Sequence, residues 1–331
     1  MFLNKKTTYR LAGVALIIGA VFSQGVESRT ITVGTTLNAK DTSTRSMEKW
    51  GELLAEQTDG RINVEVIPGG VLGSDREHLQ QLSSGEIDVN LSAAVMLQHV
   101  APEYQCLEAE YIFENEDHGF AVWRGDIGQE ISDKIRDGYG IELIGVGRRG
   151  ARHVTANRPV KEPEDLEGAR FRVTNNLRAE VFEAFGAQPA PLPLAELYGA
   201  LRQKVFDAQE NPLATLYSFR LHEVQDYISL TEHVWSYNLV LVNSDFYESL
   251  GDDREVFNST LSEALDWLYE TAIADEEEIK KKIRDTGKTE FIEPNIASFR
   301  EIARPIVRAY AEENCQPGLI DAIDKAAPNK S

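Results

Sequence analysis

Residues 165–213 constrain the fold more than any other stretch: DLEGARFRVTNNLRAEVFEAFGAQPAPLPLAELYGALRQKVFDAQENPL. An apolar β-run at Ala169–Val173 leads into a predicted helix at Leu177–Phe185. A Pro-rich strand at Gln188–Leu192 follows, then a helix at Leu194–Lys204. A strand at Val205–Gln209 runs into the polar cluster Asp207-Ala-Gln-Glu-Asn211-Pro212. Strand and helix in strict alternation fold as an α/β layer structure. Arg172 breaks the apolar run near its end. Its planar fork matches a carboxylate bidentately; a structural Arg–Glu ion pair is the alternative reading of the same residue.

The rest of the chain repeats the alternation. Thr30–Leu37 predicts a strand. Ser43–Gln57 predicts an amphipathic helix with Trp50, Leu53 and Leu54 inward and Thr42 or Ser43 as its cap. Ile62, Val64 and Val66 alternate through Arg61–Pro68, a strand ended by Gly69-Gly70. Asp75–Ser84 predicts a helix stopped by Gly85, and Asp88–Ala94, Ile141–Val146 and Arg152–Asn157 predict strands. Val234–Asn243, with Trp235 and Tyr237, is a long apolar strand suited to crossing back to the first half. Asp252–Thr286 and Ile296–Asn314 predict long helices, the charged run Asp275–Arg284 forming a solvated face. The expected fold is α/β: two lobes of mostly parallel sheet with helices on both faces, joined by crossing strands and spanned by a long helix. Such a pair of lobes encloses a small ligand in a hinged cleft.

The amino terminus predicts export. Lys5, Lys6 and Arg10 precede an apolar stretch, Leu11–Phe22, of signal-peptide length, with small residues suiting cleavage after Ser28. A retained anchor is the alternative. The whole chain carries 34 basic and 54 acidic residues, a net charge of −20. The first 28 residues hold three Lys/Arg and one Glu, net +2, so the remainder carries −22. That charge disfavours nucleic acid and anionic membranes as partners. An acidic protein that binds an anion needs a local positive exception, which singles out individual arginines. No CxxC, HxxxH or HExxH pattern suggests a metal, no GxSxG or Walker loop occurs, and no cofactor is expected. Cys106 and Cys315 have an oxidising compartment in which to pair, yet their spacing does not decide between a disulfide and two buried thiols.

Several ordered motifs carry a resemblance. Asp165-Leu-Glu-Gly-Ala-Arg-Phe-Arg172-Val, Ala184-Phe-Gly-Ala-Gln-Pro-Ala-Pro191, Glu196-Leu-Tyr-Gly-Ala-Leu-Arg202 and Asp207-Ala-Gln-Glu-Asn211-Pro212 stand in sequence. Gly69-Gly-Val-Leu-Gly73-Ser-Asp-Arg76 and Arg152-His-Val-Thr-Ala-Asn-Arg158-Pro lie upstream. Together they resemble the solute-binding subunits of TRAP transporters, the tripartite ATP-independent periplasmic transporters, over nearly the whole chain beyond the signal. The resemblance implies a two-lobed periplasmic binding protein without catalysis, monomeric by default. It would capture a small organic acid and deliver it to membrane permease subunits. A C4-dicarboxylate, a sugar acid, a keto or hydroxy acid and a compatible solute all fit. It implies Arg172 as the carboxylate clamp, Arg152 as a second arginine lining the cleft and Asn211 as a donor, with Asn175 a further donor and His233 behind the site. The first lobe would close through Thr36–Asn38 and the strand end at Ala93. Ala93 and Thr36 stand where sialic-acid-binding members carry a glutamate and an asparagine, and Leu194 stands at the family's aromatic wall. Trp235, Tyr237 and Tyr217 are alternative stacking surfaces, core packing being the competing reading for each. The sequence also departs from the family at Thr174 and Ala208, where proline and glycine are usual.

Two rival functions remain open at this level: a binding protein serving an ABC transporter or a sensor, and a secreted hydrolase using Asp207 and Glu210. The carboxylates on that strand end face opposite ways, a poor acid–base pair.

Overall fold

A computed structural model describes Met1 and residues 28–327. The predicted signal segment lies almost wholly outside the described residues. In chain order the elements are β1 (Arg29–Thr35), α1 (Thr42–Gln57), β2 (Ile62–Ile67), α2 (Asp75–Ser84), β3 (Val89–Ala93), α3 (Leu97–Val100), α4 (Glu116–Trp123), α5 (Asp126–Tyr139) and β4 (Ile141–Ala156). Then come β5 (Arg170–Val173), α6 (Asn176–Ala184), β6 (Gln188–Pro191), α7 (Leu194–Arg202), β7 (Ala208–Pro212) and α8 (Leu213–Ser218). The chain ends with β8 (Tyr227–Asn243), α9 (Ser244–Ser249), α10 (Arg254–Asp285), β9 (Glu290–Ile292), α11 (Ile296–Asn314) and α12 (Leu319–Lys325).

The strands form one sheet in the order β2-β1-β3-β8-β4-β7-β5-β6, with β9 beside β8. Its two flanks are parallel, but the centre is not: β3–β8, β8–β4 and β4–β7 are all antiparallel. The expectation of a mostly parallel sheet is corrected to a mixed one. The crossing strands are the cause, because a strand that returns from one lobe to the other must run against its neighbour. Two predicted strands, Ile141–Val146 and Arg152–Asn157, are halves of the single 16-residue β4. It pairs with the 17-residue β8 across three register shifts.

Gly145 and Gly147 let α10 lie directly on β4. A Cβ at Gly145 would come within 2.8 Å of Leu265, and one at Gly147 within 3.0 Å of Leu265 and Leu268. With Gly150 these residues spell G-x-G-x-x-G, correcting the sequence reading that no such string occurs, but they sit inside a strand with no helix following, so the string is packing geometry and not a phosphate loop. At 32 residues, α10 is about 48 Å long. It packs on α1 and α8 as well as β4, touching both halves of the sheet. Trp50 of α1 meets Phe257 edge-on at 4.9 Å and donates from Nε1 to Thr260 Oγ1. Asp41, not Thr42 or Ser43, caps α1, its Oδ1 accepting from the Ser43 amide. The charged run on α10 is only partly solvated. Asp275 accepts from Thr42 Oγ1 and Arg45 Nη1, and Glu276 accepts from Arg148 Nη1 at 2.8 Å.

Cys106 and Cys315 are joined, which the spacing left open. The bond links the turn Pro102–Glu108 to the end of α11 across 209 residues of sequence. Cross-links over long loops stabilise chiefly by restricting the unfolded chain. Replacing both cysteines by alanine should lower the unfolding free energy by about 2–5 kcal/mol, read from denaturant midpoints. An unchanged midpoint would mean that the bridge contributes nothing.

His153, on β4 opposite Asn211, is 5% exposed, and its Nδ1 accepts from the Glu232 amide. Burial pulls its pKa from 6.5 down to about 3. Between those values the unfolded chain binds a proton that the folded chain refuses. The stabilisation is therefore complete above pH 6.5 and falls away as pH drops towards 3. Lowering the pH from 6.5 to 5 should cost on the order of 2 kcal/mol through this residue alone. Denaturation of wild type and His153→Gln at both pH values checks this: the variant should show the shallower pH dependence, and equal slopes would contradict the assignment.

Candidate functional site

A cleft of about 870 Å³ opens where strands of both flanks end. Thr36 follows β1 and Ala93 ends β3. Thr174 and Asn175 follow β5, Leu192 follows β6, and Asn211 lies on β7. The carboxyl ends of parallel strands leave such a crevice where the connections run to opposite sides. The amino-terminal turn of α2, Asp75–Glu77, forms the rim on the β1 side. Leu194 and Glu196 of α7 form it on the other.

Five arginines are buried among the described residues: Arg148, Arg149, Arg152, Arg172 and Arg178. Their partners divide them. Arg148 pairs with Glu116 and Glu276 at the crossing of β4 with α10. Arg178, on α6, pairs with Glu110 at 2.9 Å and Glu210 at 3.4 Å, with Glu108 at 3.8 Å. Arg152 grips Glu210 bidentately from β4, Nε to Oε2 and Nη2 to Oε1, and Nη2 also reaches Asn211 Oδ1 at 3.2 Å. Burial by itself would raise the Glu210 carboxyl. The charges of Arg152 and Arg178, with bonds from His233 and Arg152, outweigh it and hold Glu210 well below the usual range. Glu108 goes the other way: burial raises it despite Arg178.

Arg172 and Arg149 have no carboxylate at ion-pairing distance among the described residues. Arg172, 3% exposed on β5, donates from Nε to the Leu192 carbonyl, while its Nη1 is buried without an acceptor. Burial lowers its pKa to about 10, with Glu210 opposing that fall. Arg149 donates to Asn238 Oδ1 and Thr215 Oγ1 at 3.3 and 3.2 Å, and its Nε has no partner. Burial lowers its pKa also, against the pull of Asp41. Both residues line the cleft.

Of the positions singled out from the sequence, Arg172, Arg152, Asn211, Asn175, Thr36 and Ala93 come together on the cleft wall. Arg152 and Asn211 are there but engaged: the Asn211 amide donates to Gln209 Oε1 while its oxygen accepts from Arg152. Asn175 caps α6 with Oδ1, so what it can offer a ligand is Nδ2. Thr36 donates to Asp75 Oδ1. Five others lie elsewhere. Asn38 does not face the cleft; its Nδ2 donates to the Ser218 carbonyl at the end of α8. Tyr237 is fully buried among Phe113, Phe120 and Trp123, and its hydroxyl donates to the Glu116 carbonyl. Trp235 packs against the same core. On an apolar strand, removing ring area from water outweighs presenting it to solvent. Tyr217 stacks on His222, away from the cleft. His233 stands behind the wall, between Thr231 Oγ1 and Glu210 Oε2; the carboxylate can only accept, so Nε2 donates to it.

Asp207 is at the surface in an ion pair with Arg170, and Glu210 is committed to arginines, so the two do not form an acid–base pair. The sequence reading missed Arg149, Asp75, Gln98 and His99, which also line the cleft. Arg149 was hidden because residues three apart on a regular strand face opposite ways. Here Gly150, at φ +90°, and the register shift around it turn Arg149 and Arg152 to the same side. Gly150 in the middle of a strand was the one available signal. No group of metal-ligating side chains occurs among the described residues, and no helix there is long and apolar enough to cross a membrane.

Residues 33–314 match the family model described as bacterial extracellular solute-binding protein, family 7. A solute-binding protein of Roseobacter denitrificans is 32% identical over 306 residues, covering 92% of each chain. Among solved structures, a TRAP periplasmic solute-binding protein of Roseobacter denitrificans with bound L-galactonate superposes with a TM-score of 0.82. It is 29% identical, covering 91% of this chain and 99% of that one. Another, from Sulfurospirillum deleyianum with bound succinate, gives a TM-score of 0.85 at 25% identity, covering 90% and 99%. The chain therefore belongs to the family of TRAP periplasmic solute-binding proteins, a family that binds and does not catalyse.

Proposed function

We propose that this protein captures a small carboxylate-bearing solute with Arg172 and hands it to the membrane permease of a TRAP transporter. The buried Arg172 Nη1, with no acceptor and with no carboxylate at ion-pairing distance among the described residues, carries this reading. An unpaired guanidinium in a dry site is costly, and an incoming carboxylate offsets that cost with charge-assisted bonds. The Leu192 carbonyl fixes the guanidinium through Nε, leaving the Nη groups for the ligand. The bound molecules of the two solved relatives are both carboxylates, which supports the same chemistry here.

Residues 29–149 and about 237–276 form one lobe in this reading, and 150–236 with about 277–331 the other. The solute docks on the Arg172 side. The β1 side then closes through Thr36, Leu37 and Ala93, while β4 and β8 flex. Ligand shifts the population towards closure only as far as it makes contacts that the open state lacks. A sugar acid, a short dicarboxylate, a keto or hydroxy acid and a compatible solute all fit the cleft in size. Service to an ABC transporter or a sensor is the alternative. Adjacent genes would separate them: integral membrane subunits of a TRAP system on one side, an ATPase or a histidine kinase on the other.

Calorimetric titration of residues 29–331 with a panel of small acids should find a ligand. Arg172→Ala should weaken it by about 2–5 kcal/mol. Near-native affinity in the variant would rule out the clamp. Expressed at full length in a Gram-negative host, the protein should be recovered from the periplasm with Arg29 at its amino terminus; a longer mature chain held at the membrane would contradict cleavage after Ser28.

A further inference from the structure

We infer that Arg149 is a second acid-binding group of the same cleft, so that the preferred solute carries two acidic groups. This rests on the carboxylate reading of Arg172 and extends it.

The five buried arginines supply the argument. Arg148, Arg152 and Arg178 each have at least one carboxylate within ion-pairing distance, and none of them needs a ligand. Among the described residues Arg149 and Arg172 have none, and both lie on the cleft wall. Each is more than nine-tenths buried and each keeps one N–H without an acceptor: Nε in Arg149, Nη1 in Arg172. The two bonds Arg149 does make are long and go to neutral oxygens, an amide and a hydroxyl. Asp41 is the carboxylate whose charge bears most on it. That carboxylate already accepts from the Ser43 amide and the Thr215 hydroxyl, and it stands outside ion-pairing range. A guanidinium held this way has lost its hydration without gaining a counter-charge. A structural arginine is expected to find a carboxylate, as the other three do.

The local geometry serves the same end. Arg148 and Arg149, adjacent on β4, face opposite ways, and Gly150, with φ at +90°, and the shift in β4–β8 pairing bring Arg149 to the side of Arg152. Arg148 turns to Glu116 and Glu276 at α10, and Arg149 turns into the cleft. Arg152, saturated by Glu210, bears on both unpaired arginines, lowering the pKa of each. Arg149 is held by Asn238 of β8 and Thr215 of α8, and Arg172 by the Leu192 carbonyl after β6; β4 and β7 lie between β8 and β5 in the sheet, so the two are separate positive points on one wall. A single carboxylate satisfies one of them. A solute with an acid at each end satisfies both.

Matched pairs of probes test this: succinate against succinamate, glutarate against glutaramate, and galactarate against galactonate. In each pair one acid group is replaced by a neutral group of similar size. Titration of wild-type protein should show at least one diacid binding roughly tenfold or more tighter than its partner, as a lost charge-assisted bond requires. In Arg149→Gln that ratio should fall to within about twofold of one, and Arg149→Lys should recover part of it. Circular dichroism and the melting temperature establish that the variants are folded. Binding of monoacids that depends on Arg172, with no gain from a second acid group, would overturn this proposal and leave the clamp standing. An unchanged ratio in Arg149→Gln would do the same. A folded wild type that binds no acid of either kind would overturn the carboxylate reading itself, and this one with it.

Discussion

The buried grip of Arg152 on Glu210 is the interaction on which the site depends. It joins β4 to β7 beside the cleft, and Glu210 also takes Arg178 from α6 and His233 from β8. Four elements thus meet at one carboxylate. Removing one partner from such a cluster strands the others in a dry interior, at a cost of about 3–5 kcal/mol. The cluster is consequently rigid, and it fixes the wall from which Arg172 projects. It also sorts the arginines. Those inside the cluster find carboxylates, and the two at its edge do not, which leaves positive charge where a ligand can reach it.

A second constraint is the crossing of the two lobes. The long antiparallel pair β4–β8 carries the chain between flanks, and α10 lies across it on Gly145 and Gly147. Arg148–Glu276, Arg45–Asp275 and the bond from Asn38 to the Ser218 carbonyl fasten the same region. These contacts lie outside the cleft lining and leave it accessible. In the closure proposed above, such long strands would share the bend over many residues, with modest changes at each bringing Thr36 and Ala93 nearer Arg172.

Several parts of this arrangement were legible before any coordinates. Periodicity found α1, α2 and α11, because an amphipathic face repeats at 3.6 residues whatever it packs against. Ordered motifs placed Arg172, Arg152, Asn211 and Asn175 on one wall, Thr36 and Ala93 facing it. Other parts were not legible. Tyr237 and Trp235 look equally like stacking surface and core in a string of letters; only Phe113, Phe120 and Trp123, brought in from distant sequence, decide for core. The charged run on α10 reads as solvated until Arg45 and Arg148 arrive against it.

By itself, then, the sequence determined the α/β alternation, the two-lobed class, the family and the arginine of β5, because these rest on local periodicity and on motifs contiguous in the chain. Tertiary structure alone decided that the sheet is mixed, that Cys106 meets Cys315, and which buried arginines go unpaired. Each of those depends on which distant groups end within a few ångströms of one another. A guanidinium is a structural tie or a ligand hook according to whether a carboxylate is among them.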